Sequence, residues 1–116
     1  MIDWSRVAEL VSEIGEDGFA EVVELFLDEV ESVVMRLRDQ PDPGRLEEDM
    51  HFLKGGAWNL GFADFGGLCQ DGEKLAAKGN ASQVDLDLVI RCYFASKDSF
   101  LADLHQHVGS GASSAA

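Results

Sequence analysis

His51 is followed by Lys54, Gly55 and Trp58 at three, four and seven residues. On an α-helix these positions share one face. A neutral imidazole is a nucleophile, and an ordinary pKa of about 6.5 leaves much of it neutral near pH 7. In-line attack on a phosphoryl group needs positioning and charge compensation more than covalent help. Lys54 supplies a mobile cation within reach of the ring. Gly55 and Gly56 are adjacent glycines in a predicted helix interior, where each costs about 1 kcal/mol relative to Ala. An exposed glycine beside a histidine removes bulk where another molecule must come close. Trp58 adds apolar area to the same face, and Glu47 and Glu48 flank it one turn earlier. Together these suit a docking site where negative charge forms on His51. The chain has no phosphate-binding glycine loop and no nucleotide signature, so the phosphoryl group must arrive from another protein.

The elements that position these residues are helical. Val7, Leu10, Val11 and Ile14 repeat at helical spacing, and Gly15 should end this short first helix. A second stripe runs through Phe19, Val22, Val23, Phe26, Val30, Val33, Val34 and Leu37. Pro41-Asp42-Pro43 breaks the chain; Asp42 suits an N-cap and Pro43 a first helical position. The third helix then carries Leu46, Met50, Leu53, Ala57 and Leu60 inward and stops at Gly61. With His51 at 0°, this stripe centres at about −140°, so His51 should face solvent. A fourth helix carries Phe65, Leu68, Cys69, Leu75 and Ala76 and stops at Gly79-Asn80. Ser82 or Asp85 caps a fifth, with Leu86, Val89, Tyr93, Phe100 and Leu104 inward. The fold expected is all-α: an antiparallel up-down four-helix bundle with an additional short N-terminal helix, over residues 1–108. Residues 109–116 are Gly, Ser and Ala and should form a disordered tail.

Composition narrows the function. Nine Lys and Arg stand against 22 Asp and Glu, a formal net charge of −13. A nucleic-acid binder needs a basic face, as does a binder of anionic membranes, so neither partner is expected. No apolar run approaches the length of a membrane span, and residues Met1 to Trp4 show no secretion signal. Cys69 and Cys92 are too few and too far apart for a zinc motif and read as reduced thiols. A cytoplasmic monomer fits all of this.

At His51-Phe52-Leu53-Lys54-Gly55-Gly56-Ala57-Trp58-Asn59-Leu60-Gly61 the chain resembles the histidine-containing phosphotransfer (HPt) domain family. The family pattern is roughly His-x-Leu-Lys-Gly-x-(Ser/Ala)-x-x-Leu-Gly. His51, Leu53, Lys54, Gly55, Ala57, Leu60 and Gly61 all match it. The resemblance implies a phosphoryl carrier of a two-component phosphorelay, without turnover of its own and without a cofactor. His51 would accept the phosphoryl group, Lys54 would contact it, and Gly55 would let the partner approach. The partners implied are response-regulator receiver domains and a sensor or hybrid histidine kinase. The receiver would supply the magnesium ion. Family members often carry a Gln on the next helix that helps hold the histidine or the phosphoryl group. The aligned position here is Glu73, and a carboxylate beside a phosphoryl group is repulsive unless paired. Trp58 is bulkier than the small residues common at its position and could tune which receiver fits.

Two other readings compete. Glu48-x-x-His51 is a ligand pattern of di-iron bundles, but those need a second such motif and two further inward carboxylates. His105 and His107 have no Glu three residues before them, and they read as C-terminal helix residues favoured by the dipole. A non-phosphorylated adaptor of the same fold has no need of both His51 and Lys54. The absence of kinase motifs suggests a stand-alone module.

Overall fold

The computed structural model describes residues 1–107. The predicted tail at 109–116 and the side chains of His105 and His107 lie outside the described residues. The described residues form four α-helices: α1 (Trp4–Asp39), α2 (Leu46–Leu60), α3 (Ala63–Ala77) and α4 (Leu86–His107). None of them is long and apolar enough to cross a membrane.

The first two predicted helices lie end to end in α1, as two helical arms joined by a kink. The carboxylate of Asp3 starts α1 by accepting from the Arg6 amide at 3.2 Å. Gly15 interrupts α1 with φ 80° and ψ 165°, a conformation open to glycine. The chain resumes helical geometry directly after it, so Gly15 ends the first arm and no longer loop separates it from the second. Ile14, expected to face inward, is 40% exposed beside this break. Asp42 does cap, but it accepts from the Gly44 amide at 2.9 Å and starts a 3-10 turn over Pro43–Arg45. The α-helix proper begins at Leu46. Gly61 ends α2 in the left-handed region (φ 87°), and the Phe62 amide reaches back to the Ala57 carbonyl at 2.7 Å. Asp85, rather than Ser82, caps α4 by accepting from the Leu88 amide at 3.0 Å.

The core forms where the inward stripes meet. Val30, Val34 and Leu37 of α1, Met50, Leu53 and Ala57 of α2, Phe65 and Cys69 of α3 and Tyr93 and Phe100 of α4 are all buried. Trp4 stacks on Phe100, with ring centroids 5.7 Å apart. The Asp3 amide bonds to the Gly61 carbonyl at 2.7 Å. The stacking ties the N-terminus to α4, and the amide contact ties it to the corner between α2 and α3.

Glycines bring the helices together. A Cβ on Gly56 would lie 3.1 Å from Phe26 and 3.3 Å from Val30 of α1. A Cβ on Gly72 would lie 2.9 Å from the Met50 sulfur, and one on Gly66 only 2.2 Å from the Trp58 indole. Met50 therefore meets Gly72 while Trp58 meets Gly66, so α2 and α3 run in opposite directions past each other.

Candidate functional site

Packing of α2 decides which way His51 points. Met50, Leu53, Ala57 and Leu60 are buried against the other helices. The His51 side chain, on the opposite side of α2, is 70% exposed. Its Nδ1 lies 2.7 Å from Glu73 Oε2, across the α2–α3 contact. The other oxygen of Glu73, Oε1, lies 2.5 Å from Lys54 Nζ. One carboxylate thus bridges the imidazole and the ammonium. The reach is short because Gly72, next to Glu73, lets α3 close on Met50, next to His51.

The bridge fixes the protonation pattern. Lys54 holds the Glu73 carboxyl below the usual carboxylate range; partial desolvation opposes this, and the His51 contact adds to the lowering. An ionised carboxylate can only accept, so Nδ1 of His51 carries the hydrogen. In the neutral ring the lone pair then sits on Nε2, the nitrogen that Glu73 does not engage.

The surroundings combine charge with apolar area. His51, Phe52, Glu47, Glu48 and Glu73 line a surface groove of about 380 Å³. Lys54 Nζ also lies 5.9 Å from the Trp58 ring centroid, over the indole. Trp58 is 43% exposed, and its Cδ1 and Nε1 atoms lie close against Gly66. Nothing lies within 4 Å of where a Cβ on Gly55 would be. The two adjacent glycines of α2 therefore differ: Gly56 serves the contact with α1, whereas Gly55 leaves the surface beside His51 open.

A family model of the Hpt domain matches residues 21–111. The chain belongs to the Hpt domain family. Hpt domains are phosphocarrier modules that carry out histidine phosphotransfer in two-component phosphorelays, where they interact with receiver domains and histidine kinases. No curated protein and no solved structure matches the chain.

The structure brings together every site residue expected from the sequence of this Hpt domain. Glu47, Glu48, His51 and Glu73 share the groove, Lys54 joins through Glu73, and Gly55 and Trp58 extend the same surface. Sequence reasoning passed over two features of this domain. Phe52 is 44% exposed in the groove, and its place off the core stripe of α2 was the signal for it. Asp49 carried no such signal. It lies in the acidic first turn of α2 yet is buried, where Arg36 of α1 grips it with two hydrogen bonds of 2.6 and 3.1 Å. That clamp pins the start of α2, two residues before His51, to α1.

Proposed function

We propose that this Hpt domain carries a phosphoryl group on Nε2 of His51, taking it from a receiver-domain aspartate or a kinase and passing it to another receiver. The observation that carries this reading is the exposed imidazole whose Nδ1–H is held by Glu73. That contact leaves Nε2 free as a nucleophile and fixes the plane of the ring. In the loading step the Nε2 lone pair attacks phosphorus. The P–O bond of the aspartyl phosphate breaks, and its electron pair leaves with the carboxylate. In the unloading step a receiver carboxylate attacks, and the P–N pair returns to Nε2.

Lys54 offsets the charge of the group in transfer. Its ammonium need only shift from Glu73 toward Nε2. Glu47, Glu48, Phe52, Gly55 and Trp58 form the docking surface, and Gly55 admits the partner's backbone. The opposed contacts of α2 and α3 support an up-down order of helices around this site. The reading places the domain in the cytoplasm as a monomer.

Incubation with a phosphorylated receiver domain tests it. Label should move to this protein and should be acid-labile and alkali-stable, as a phosphoramidate is. His51→Gln should take up none. Labelling of that variant would remove His51 from the role, and binding of the receiver without any labelling of the native chain would favour an adaptor.

A further inference from the structure

We propose that Glu73 retains a proton on Nδ1 of phosphorylated His51, and so keeps the ring a good leaving group into the alkaline range. This rests on His51 being the carrier. When phosphorus bonds to Nε2, the immediate product is an imidazolium: Nδ1 still carries its hydrogen, and the ring holds one positive charge. If that hydrogen stays, cleavage of the P–N bond returns an electron pair to Nε2 and releases a neutral imidazole. If it is lost first, the same cleavage must release an imidazolide anion, which is a far poorer leaving group. The position of this one proton therefore decides whether the stored phosphoryl group is transferable.

The geometry places an acceptor for that proton at the right atom. Glu73 Oε2 is 2.7 Å from Nδ1, and the Glu73 side chain is itself only 19% exposed. Lys54 on the other oxygen keeps Glu73 ionised. The charged groups around the ring among the described residues are Glu47, Glu48 and Lys54 from α2 and Glu73 from α3. Glu47 and Glu48 also favour a positive ring, from a greater remove. Lys54 opposes it, but its charge is already answered by Glu73 and turns to the phosphoryl group once that is present. Glu73 is thus a positioning residue that acts through the His51 ring without touching the reacting phosphorus. A carboxylate is repulsive toward a phosphoryl group, but here it faces the opposite nitrogen.

The test uses the full chain loaded with labelled phosphoryl group from phosphoramidate. Loss of label to water and transfer to a receiver domain are followed between about pH 6 and 10. An opposite charge in hydrogen-bond contact moves such a proton equilibrium by about one pH unit or more. In Glu73→Gln the amide oxygen still accepts from Nδ1–H, but the charge is gone. Both proteins should lose label at similar rates at the acid end. Above neutrality the Glu73→Gln rate should fall first, leaving it roughly tenfold slower on the alkaline limb. On the native chain alone, ¹⁵N NMR should show Nδ1 of phospho-His51 keeping its proton to a pH about one unit above that of free phosphohistidine. Superimposable rate profiles, or a native ring that titrates like free phosphohistidine, would overturn the role of Glu73 and leave the phosphocarrier reading standing. No label on the native chain would overturn the phosphocarrier reading itself.

Discussion

Replacing Lys54 by Ala isolates the charge that compensates the phosphoryl group. A unit charge about 4 Å from an ammonium gains about 1 kcal/mol in bulk water and about 4 kcal/mol at an effective dielectric constant of about 20. His51 is largely exposed and Lys54 mostly covered, at 70% and 20% of side-chain surface, so the site lies between these limits. The ammonium must also loosen its contact with Glu73, worth about 0.5–1 kcal/mol for a pair this close to solvent. The remaining stabilisation of the transition state is about 1–2 kcal/mol, equivalent to roughly a 5- to 30-fold slower transfer in Lys54→Ala. Alanine favours the helix, so the circular dichroism spectrum should not change. The assay is single-turnover loading of His51, from phosphoramidate and from a phosphorylated receiver, at fixed ionic strength. Lys54→Arg keeps the charge and should retain most of the rate. A Lys54→Ala rate within twofold of native would refute the electrostatic argument. So would a Lys54→Arg variant as slow as Lys54→Ala, because geometry rather than charge would then be limiting.

Gly55→Ala should raise stability by about 0.5–1 kcal/mol in urea melts, since its Cβ meets nothing, and should leave loading from phosphoramidate unchanged while slowing exchange with a receiver. Equal effects on both donors would show that Gly55 does not serve partner approach. Arg36→Met should cost about 2–3 kcal/mol by leaving the Asp49 carboxylate buried and unpaired, and Asp49→Leu in the same chain should recover much of it. A double-mutant cycle with no coupling would dissolve the clamp. Burial pushes the Cys69 thiol up to about 12, with its neighbour Cys92 adding to the rise. A thiol held protonated in the folded state stabilises it fully below the unfolded thiol's pKa, and that contribution is lost as pH rises from about 9 toward 12. Thermal melts should accordingly fall above about pH 9, and a thiol reagent should modify half-buried Cys92 before Cys69; Cys69 reacting first would contradict its burial.

The helices were legible because their signals are local. The stripe Leu46, Met50, Leu53, Ala57 and Leu60 needs only helical geometry to place His51 outward, and the structure buries all five. Gly61 reads as a helix end for the same reason, since its left-handed φ is a property of one residue and its neighbours. The signals that misled were those in which local geometry left alternatives. Gly15 does break the helix, but nothing in its type tells that the second arm follows with no intervening loop. Asp42-Pro43 starts a helix of either kind, and Arg45, with ψ 2°, is what separates the 3-10 turn from α2. Pairing across helices was legible only at Glu73, through the family resemblance. Asp49 sits among Glu47 and Glu48 in an acidic turn, and nothing along the chain marks it as the one that turns inward to Arg36. Glu73 is the same problem in reverse: its alignment with the family's Gln implied proximity to the histidine or a phosphoryl group, whereas the direction of approach, toward Nδ1, exists only in three dimensions.

That direction follows from how closely α2 and α3 pack. Side chains at Gly66 and Gly72 would each force the helices apart or displace Trp58 and Met50. A helix-helix separation larger by even one methyl group would carry Glu73 out of hydrogen-bond range of His51, because 2.7 Å has little slack. Gly66 and Gly72 lie at positions where alanine would favour the helix more, and each costs about 1 kcal/mol of helix propensity. What that cost secures is a carboxylate on one helix that touches two side chains of another. The two helices therefore act as one site: α2 presents the nucleophile and the cation, and α3 supplies the group that orders both. A site divided in this way ties its chemistry to the packing of the bundle, so a substitution buried at Gly72 should reach His51 as surely as one at the surface.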